Sequence, residues 1–326
     1  MENVDQIIRA RWILPVNPRD TVLEHHAVAL RDGRIVALVP ADGAAAAFRA
    51  PLETVLDDHL LMPGLVNAHG HAAMTLLRGL ADDHTLMDWL QGHIWPAEAR
   101  WVGEDFVRTG TRLAMAEMIA SGTTCASDMY FFPDVAAAAV VEAGFRAQIA
   151  FPIFEQPSAW GASADEYLAK GLQVRDDFRS CQRLSFAFGP HAPYTTADQT
   201  LARVATLAAE LDSAVHMHVH ETAGEIREAI AEHGCRPLAR LERLGLLSPR
   251  FQAVHMTQVA PEDLELLARN RVQVLHCPSS NLKLAAGFCP VRTLGGAGIH
   301  VAIGTDGAAS NNALDLFAEM RLAALL

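Results

Sequence analysis

Short apolar runs alternate with longer amphipathic stretches over most of this chain. The runs have the length of buried strands, and the stretches between them repeat apolar residues every three or four positions, as a helix packed on a core does. One such stretch carries Leu201, Val204, Ala208 and Leu211 behind a Thr195 start. Eight runs predict strands at 60–67, 123–128, 145–151, 184–191, 214–220, 251–255, 272–276 and 301–306.

Eight strand–helix units predict an α/β fold, a TIM (β/α)8 barrel, in which polar residues at the carboxyl ends of the strands converge on one face. The main structural alternative is a doubly wound open sheet. That fold gathers its site at one switch point, whereas the polar residues here follow the first, fifth and eighth strands. The pattern therefore favours the barrel, over 60–326.

The first sixty residues follow a different pattern. Apolar segments at 4–14 and 27–39 and a strand near Val55 are joined by short turns, and Asp32-Gly33 is a hairpin signal. An Ala-rich connection lies at 44–47. We predict a small β-sandwich-like unit over residues 1–59.

Metal-competent side chains follow three of the predicted strands: His69 and His71, then His218, then Asp306. Residues i and i+2 on a strand point to the same side, so His69 and His71 can hold one ion. Three imidazoles and a carboxylate suit zinc or iron and leave a position for water, as catalytic sites do. A lone His-x-His is more often a packed or surface pair, but its recurrence at other strand ends favours one metal centre. Periodicity does not choose among His216, His218 and His220.

Three motifs resemble the amidohydrolase superfamily: PGLVNAHGH at 63–71, HVHET at 218–222 and GTDGAASNN at 304–312. The likeness runs from about Leu60 to the end and is greatest to the 5′-methylthioadenosine/S-adenosylhomocysteine deaminases. It implies a TIM barrel that deaminates an adenine nucleoside by hydrolysis, forming the inosine analogue and ammonia.

By position, the resemblance makes His69, His71, His218 and Asp306 the ligands of one zinc, or one iron, that holds the attacking water. It selects His218 because the family's glutamate, here Glu221, follows three residues later. Asp306 would also take the proton from that water. Glu221 would deliver a proton to N1 of the ring, so that two carboxylates divide the acid and base work.

The same match implies roles for four further residues. His255 would lie beside the attacking water, His191 would contact the purine, Glu98 would bind the ribose hydroxyls, and Trp89 would line the pocket near the sugar. The alternatives are structural: strand-end histidines, a solvated helix carboxylate and ordinary packing. His216 and His220 are left with packing or supporting roles.

One departure bears on the substrate. Relatives that accept S-adenosylhomocysteine carry arginines for its carboxylate, but here Phe151 stands at such a position and 160–164 contains no arginine. A missing bidentate donor weakens carboxylate binding. We therefore expect 5′-methylthioadenosine to be preferred over S-adenosylhomocysteine, with adenosine intermediate and Phe151 against the thiomethyl group.

Two other functions are weighed against this one. The first is another amidohydrolase, such as a guanine deaminase or a triazine chlorohydrolase; Glu98 separates it, since a free base has no ribose to bind. The second is a non-catalytic barrel scaffold, which need not hold stoichiometric metal.

The charge composition limits the classes of molecule that the protein is expected to bind. The chain has 26 basic and 38 acidic residues, a net charge of −12, and no basic cluster, which makes nucleic acid and anionic membrane poor partners and leaves a small-molecule nucleoside. Five scattered cysteines and an N-terminus without a leader pattern predict reduced thiols and a cytoplasmic location. The resemblance implies a homodimer. Because 315–326 is an amphipathic helix without a stop signal, we expect that C-terminal strands of the β unit are missing.

Overall fold

The computed structural model describes residues 1–326, which divide into the compact units Met1–Gly64 and Leu65–Leu326. None of its helices combines the length and the apolar character needed to cross a bilayer.

The first unit is a small β structure with one helix. The strands at 34–40, 23–31, 6–13 and 52–61 form one sheet in that order, and the short strands at 2–3 and 48–49 pair in a separate parallel ribbon. The predicted hairpin is confirmed: Asp32 and Gly33 take φ values of 51° and 70°, the left-handed pair that a two-residue turn between twisted strands favours. The Ala-rich connection is a helix. The elements are β1 (Glu2–Asn3), β2 (Gln6–Ile13), β3 (Leu23–Arg31), β4 (Arg34–Pro40), α1 (Ala41–Ala47), β5 (Phe48–Arg49) and β6 (Leu52–Leu61).

The junction between the units lies at Gly64, a few residues beyond the expected position. Leu60 and Leu61, assigned above to the first barrel run, instead end β6 and pair with Trp12 and Ile13. The apolar run is interrupted because proline lacks the N–H that a strand ladder needs. The first barrel strand therefore begins at Leu65, after the Pro63-Gly64 break.

All eight predicted barrel strands are present. They form one parallel sheet in which every strand pairs with its neighbours in sequence, so the open-sheet alternative is excluded. The strands are β7 (Leu65–Gly70), β8 (Thr123–Asp128), β9 (Arg146–Ile153), β10 (Leu184–Pro190), β11 (Ala214–Val219), β12 (Phe251–His255), β13 (Gln273–His276) and β14 (Val301–Ile303).

The last strand meets the first through the residues that follow it. The Asn67 amide donates to Thr305 Oγ1 at 2.8 Å, and the Thr305 N–H donates to Asn67 Oδ1 at 2.9 Å. The Asp306 N–H donates to the His69 carbonyl at 3.0 Å. A Cβ on Gly304 would lie 2.7 Å from the His69 nitrogen, so only glycine allows this approach. Barrel closure thus fixes Asp306 beside the His69 strand.

Helices cover the outside of the barrel, and the core lies between them and the strands. Fully buried Phe151, Tyr167, Phe188 and Leu201 belong to this layer. The helices are a 3₁₀ turn (Ala72–Leu77), α2 (Leu86–Trp89), a π turn (Leu90–Ile94), α3 (Trp95–Trp101), α4 (Glu104–Ala120), α5 (Pro133–Glu142), α6 (Ala164–Asp177), α7 (Asp198–Glu210), α8 (Ala223–His233), α9 (Pro237–Arg243), α10 (Pro261–Asn270), α11 (Pro278–Lys283), α12 (Val291–Gly296), α13 (Ala308–Asn311) and α14 (Leu316–Leu325).

The close approach of α4 to the backbone of the 3₁₀ turn predicts a stability change. A Cβ on Gly110 of α4 would lie 2.4 Å from the Ala73 carbonyl oxygen, so Gly110→Ala should lower the free energy of unfolding by about 1–3 kcal/mol through overpacking. The control Gly295→Ala in α12 enters open space and should raise it by roughly 0.5–1 kcal/mol. Denaturant unfolding measures both; equal effects would contradict the packing explanation.

Candidate metal centre and pocket

The structure brings His69, His71, His218 and Asp306 together at the carboxyl ends of the strands. The Nε2 atoms of His69 and His71 lie 3.2 and 3.3 Å from Asp306 Oδ1. The Nε2 atoms of His218 and His69 are 3.2 Å apart. His255 lies close by, because one nitrogen from each of His69, His218 and His255 falls within a 4.8 Å group.

The outer nitrogens of the three imidazoles are already engaged. His71 Nδ1 donates to the Met129 carbonyl at 2.5 Å and His218 Nδ1 donates to the His191 carbonyl at 2.7 Å. His69 Nδ1 lies 2.7 Å from Nε2 of His216. With the protons held at Nδ1, all three Nε2 lone pairs face the common centre, the arrangement that metal-binding histidines have. Three imidazoles and a carboxylate fit a divalent metal such as zinc.

The Asp306 carboxylate is held by more than the histidines. Its Oδ2 accepts hydrogen bonds from Ser280 Oγ at 2.6 Å and from Ser310 Oγ at 3.0 Å. Burial alone would raise the pKa of Asp306, but the adjacent imidazoles of His69 and His71 outweigh it and hold that pKa well below its usual value. The carboxylate is therefore ionised at neutral pH.

Three polar residues at strand ends have left-handed backbone: His220, His255 and Asp306, with φ of 54°, 77° and 61°. Residues with a Cβ seldom adopt this region, and each costs about 1–3 kcal/mol when the surrounding structure imposes it. Such strain clusters at functional sites.

Glu221 lies at the base of the site. Its Oε1 is 3.5 Å from His255 Nε2, while His255 Nδ1 is 2.9 Å from Asn281 Oδ1. The Glu225 carboxylate accepts the backbone N–H of Glu221 at 2.7 Å and so positions it. Burial, and then the negative charge of Asp306, raise the pKa of Glu221 to about 8. Glu221 therefore carries a proton at neutral pH and can donate it.

A pocket of about 670 Å³, counting the space at its open mouth, leads to these groups. Glu98 lies in its wall and accepts a hydrogen bond from the Tyr130 hydroxyl at 2.7 Å, while burial raises the Glu98 pKa to about 7. Trp89 also lines the pocket, as expected, and its buried Nε1 has no protein partner. The remaining wall is largely apolar or aromatic and contains no lysine or arginine.

His191 faces the pocket in a stack of aromatic rings. Its ring centroid lies 4.7 Å from that of Phe154 at an interplanar angle of 24°, and Phe154 stacks in turn on Phe131. Its Nδ1 lies 3.1 Å from Thr195 Oγ1. Stacking and hydrogen bonding together fix the orientation of the imidazole, as a contact with a flat heterocycle requires.

The expected position of Phe151 is wrong. Its side chain is fully buried, its ring centroid lies 5.0 Å from that of Phe188, and a Cβ on Gly171 would collide with it. Successive strand residues face opposite sides, and β9 continues to Ile153, so Phe151 points outward while Pro152 lines the pocket. The aromatic residue at the true strand end is Phe154.

The sequence analysis missed several residues of the site. Tyr130, Tyr194 and Asn281 line the pocket or contact its polar groups, and each lies in a segment that follows a barrel strand. Considering every strand end as a source of site residues would have found them. His220, by contrast, is a structural residue: its Nδ1 donates to the Gln258 carbonyl and its Nε2 accepts from the Leu238 N–H.

Comparison with known proteins identifies relatives over almost the whole chain. The model of the Amidohydrolase family matches residues 60–326. A protein of Saccharophagus degradans named 5-methylthioadenosine/S-adenosylhomocysteine deaminase is 55% identical over 99% of this chain and 72% of its own length. A protein of the same name from Teredinibacter turnerae is 52% identical, over 99% of this chain and 73% of its own.

Two solved structures superpose on almost the whole of this chain. A zinc-bound adenosine deaminase of Xanthomonas campestris superposes with a TM-score of 0.98 at 51% identity, covering 99% of this chain and 74% of that one. The atrazine chlorohydrolase of Arthrobacter aurescens superposes at 0.91 with 23% identity, over 98% of this chain and 76% of that one, a likeness of fold alone.

The raised pKa of Glu221 predicts a pH-dependent stability in metal-depleted protein. Its ionisation opposes folding as the pH rises from the unfolded pKa of about 4.5 through about 8, so Glu221→Gln should be the more stable protein at pH 8 and equal to wild type near pH 4.5. The gain should be a few kcal/mol, since one pKa unit corresponds to about 1.4 kcal/mol. Urea unfolding with a chelator at both pH values measures it. The exposed control Glu265→Gln should show no such pH dependence, and equal behaviour of the two variants would refute the assignment.

Proposed function

Because the chain belongs to the amidohydrolase family, we propose that it deaminates adenine nucleosides by hydrolysis, releasing ammonia and forming the inosine analogue. One observation carries this proposal: Glu221, buried and with a raised pKa, lies beside the histidine–aspartate centre in the same pocket as Glu98. The names of the relatives support it. A ribose-binding carboxylate has no purpose in guanine or triazine hydrolysis, which makes those functions weaker alternatives.

We assign one divalent metal, zinc, to His69, His71, His218 and Asp306. Such an ion lowers the pKa of water towards ~7 and so supplies a hydroxide at neutral pH. His255 is not assigned as a ligand, because its Nδ1 faces Asn281 and its Nε2 faces Glu221. It is placed instead to orient the attacking oxygen.

The protein's acids and bases then divide the proton transfers. Asp306, ionised at neutral pH, accepts the proton of the water whose oxygen attacks C6. Glu221 donates its proton to N1, so the ring can accept the electron pair displaced by the attack. Asp306 then passes the proton it accepted to the amino group. The C6–N bond breaks as an oxygen lone pair forms the C6 carbonyl, ammonia leaves, and the hydroxyl proton returns to Glu221.

The pocket walls recognise the rest of the nucleoside. Glu98, with one oxygen held by Tyr130, presents the other to the ribose hydroxyls. His191, fixed by its stack on Phe154, contacts the purine. Phe131 and Phe154 replace Phe151 as the aromatic surface available to an apolar 5′ substituent.

The proton donor provides the direct test. Glu221→Gln should lower kcat for 5′-methylthioadenosine by about 10²–10⁴-fold, because the amide cannot deliver a proton, while zinc content stays near one per chain. Ammonia release and the purine absorbance measure turnover, and elemental analysis measures zinc. His218→Ala should lose the metal as well as the activity. Near-wild-type turnover by Glu221→Gln would refute the assigned role, and a wild type that holds zinc but deaminates no adenine nucleoside would favour another heterocycle.

The wall also predicts the order of substrates. It offers an amino-acid carboxylate the carboxyl groups of Glu98, Glu221 and Asp306, and no lysine or arginine. We therefore expect kcat/KM for 5′-methylthioadenosine to exceed that for S-adenosylhomocysteine by roughly 10–100-fold, the value of about 1.5–3 kcal/mol for a missing charged hydrogen bond. Adenosine, which has neither substituent, serves as the internal reference and should rank between them. A higher kcat/KM for S-adenosylhomocysteine would contradict this.

A further inference from the structure

A chain of polar side chains crosses the barrel behind the candidate metal centre. It starts at His69 Nδ1, 2.7 Å from His216 Nε2, and continues from His216 Nδ1 to Gln252 Oε1, also at 2.7 Å. Gln252 forms a reciprocal amide pair with Gln148, which in turn donates to Ser127 Oγ at 2.9 Å. These residues lie on five of the eight strands, so the contacts depend on barrel closure.

This chain of hydrogen bonds has a direction. A neutral imidazole has one N–H and one lone pair. If His69 is to offer its Nε2 lone pair to a cation, its proton must be on Nδ1, and His216 Nε2 must accept it. The proton of His216 is then on Nδ1 and needs an acceptor, which Gln252 Oε1 supplies at 2.7 Å; Ser127 Oγ is more distant, at 3.4 Å. With the Gln252 amide turned round, every bond would reverse and His69 Nε2 would carry the proton.

The other two imidazoles of the centre do not depend on side chains in this way. His71 and His218 donate to the backbone carbonyls of Met129 and His191, which cannot exchange acceptor for donor. Only the partner of His69 is a group with two tautomers.

Gln148 fixes the sense of the Gln252 amide. Its Nε2 donates to Gln252 Oε1 at 2.7 Å, and Gln252 Nε2 donates to Gln148 Oε1 at 3.2 Å. The Oε1 that accepts from His216 is thus held on two sides. The pair lies in register with its partners, since Gln252 is the strand neighbour of His216 and Gln148 that of Ser127.

We propose that Gln252, acting through His216, is a positioning residue that sets the tautomer of His69 and thereby the metal affinity of the site. The inference rests on the proposed function only in so far as that function requires a metal. It makes the half-buried pair Gln148 and Gln252 part of the metal site.

Three isosteric variants test this relay, the chain of hydrogen bonds that runs from Gln252 through His216 to His69. Gln252→Met keeps the size but removes the acceptor and should weaken zinc binding about 10–100-fold, as loss of a ligand's supporting hydrogen bond does. Gln252→Glu keeps an acceptor and should bind zinc within threefold of wild type, or more tightly. The matched control is Gln273→Met: Gln273 is the strand neighbour of Gln252 but bonds only to the Arg271 carbonyl, so zinc affinity should not change.

Zinc affinity is measured by competition with a chromophoric chelator, and thermal unfolding of the metal-free proteins shows that each variant folds. Two-bond ¹H–¹⁵N spectra of histidine-labelled, metal-free protein report the tautomer directly: His69 should carry its proton on Nδ1 in wild type and Gln252→Glu, and lose that preference in Gln252→Met. Equal zinc affinity of Gln252→Met and wild type would overturn the relay, and so would equal losses in Gln252→Met and Gln252→Glu, which would show a packing role.

No nucleoside enters these measurements, so the two proposals fail separately. A wild type that binds zinc with the predicted ranking of variants but deaminates nothing overturns the proposed reaction and supports the relay. A deaminating wild type whose Gln252→Met variant binds zinc unchanged overturns only the relay. A wild type without affinity for zinc overturns both.

Discussion

Burial of ionisable side chains inside the barrel is the constraint on which the rest of this structure depends. An imidazole or carboxylate withdrawn from water costs several kcal/mol unless it is paired, and this barrel holds His69, His218, Glu221 and Asp306 almost wholly out of solvent. His69, His218 and Asp306 therefore each have a fixed partner, while the Glu221 carboxyl group responds to burial with a raised pKa. Asp306 has two serine hydroxyls, His218 a backbone carbonyl, and the backbone of Glu221 is held by the Glu225 carboxylate. The reactive centre is rigid because its polar groups cannot remain unpaired.

The same burial divides two carboxyl groups into an acid and a base. Glu221 has no cationic partner, so desolvation raises its pKa, whereas Asp306 lies against two imidazoles and stays ionised. Chemically similar side chains thus acquire opposite tasks from their surroundings. Glu98, more distant and bonded to Tyr130, occupies an intermediate environment.

Much of this could be predicted from the sequence because the signal is periodic. Strand length, helical spacing and the rule that site residues follow barrel strands were sufficient for the eight strands and for the convergence of His69, Asp306 and a histidine of the fifth strand. The family resemblance selected His218. The failures concern boundaries. The resemblance placed Phe151 in the pocket, but one strand residue is enough to change sides, and the neighbouring Pro152 lines the pocket instead. The partner of His216 was beyond prediction, because periodicity gives the face of a side chain but not which side chain opposite will meet it.

The left-handed conformation at His255 and Asp306 has a consequence for how such a protein can diversify. The backbone turns left-handed at His255, the last residue of β12, and at Asp306, which follows β14 and donates its N–H to the His69 carbonyl. Hydrogen bonds to neighbouring strands therefore orient both side chains. The aromatic and carboxylate groups proposed to contact the nucleoside, such as Phe154 and Glu98, lie instead beyond the strands. Loops can therefore accumulate substitutions and insertions, and explore new substituents on the substrate, without disturbing the groups that break the bond.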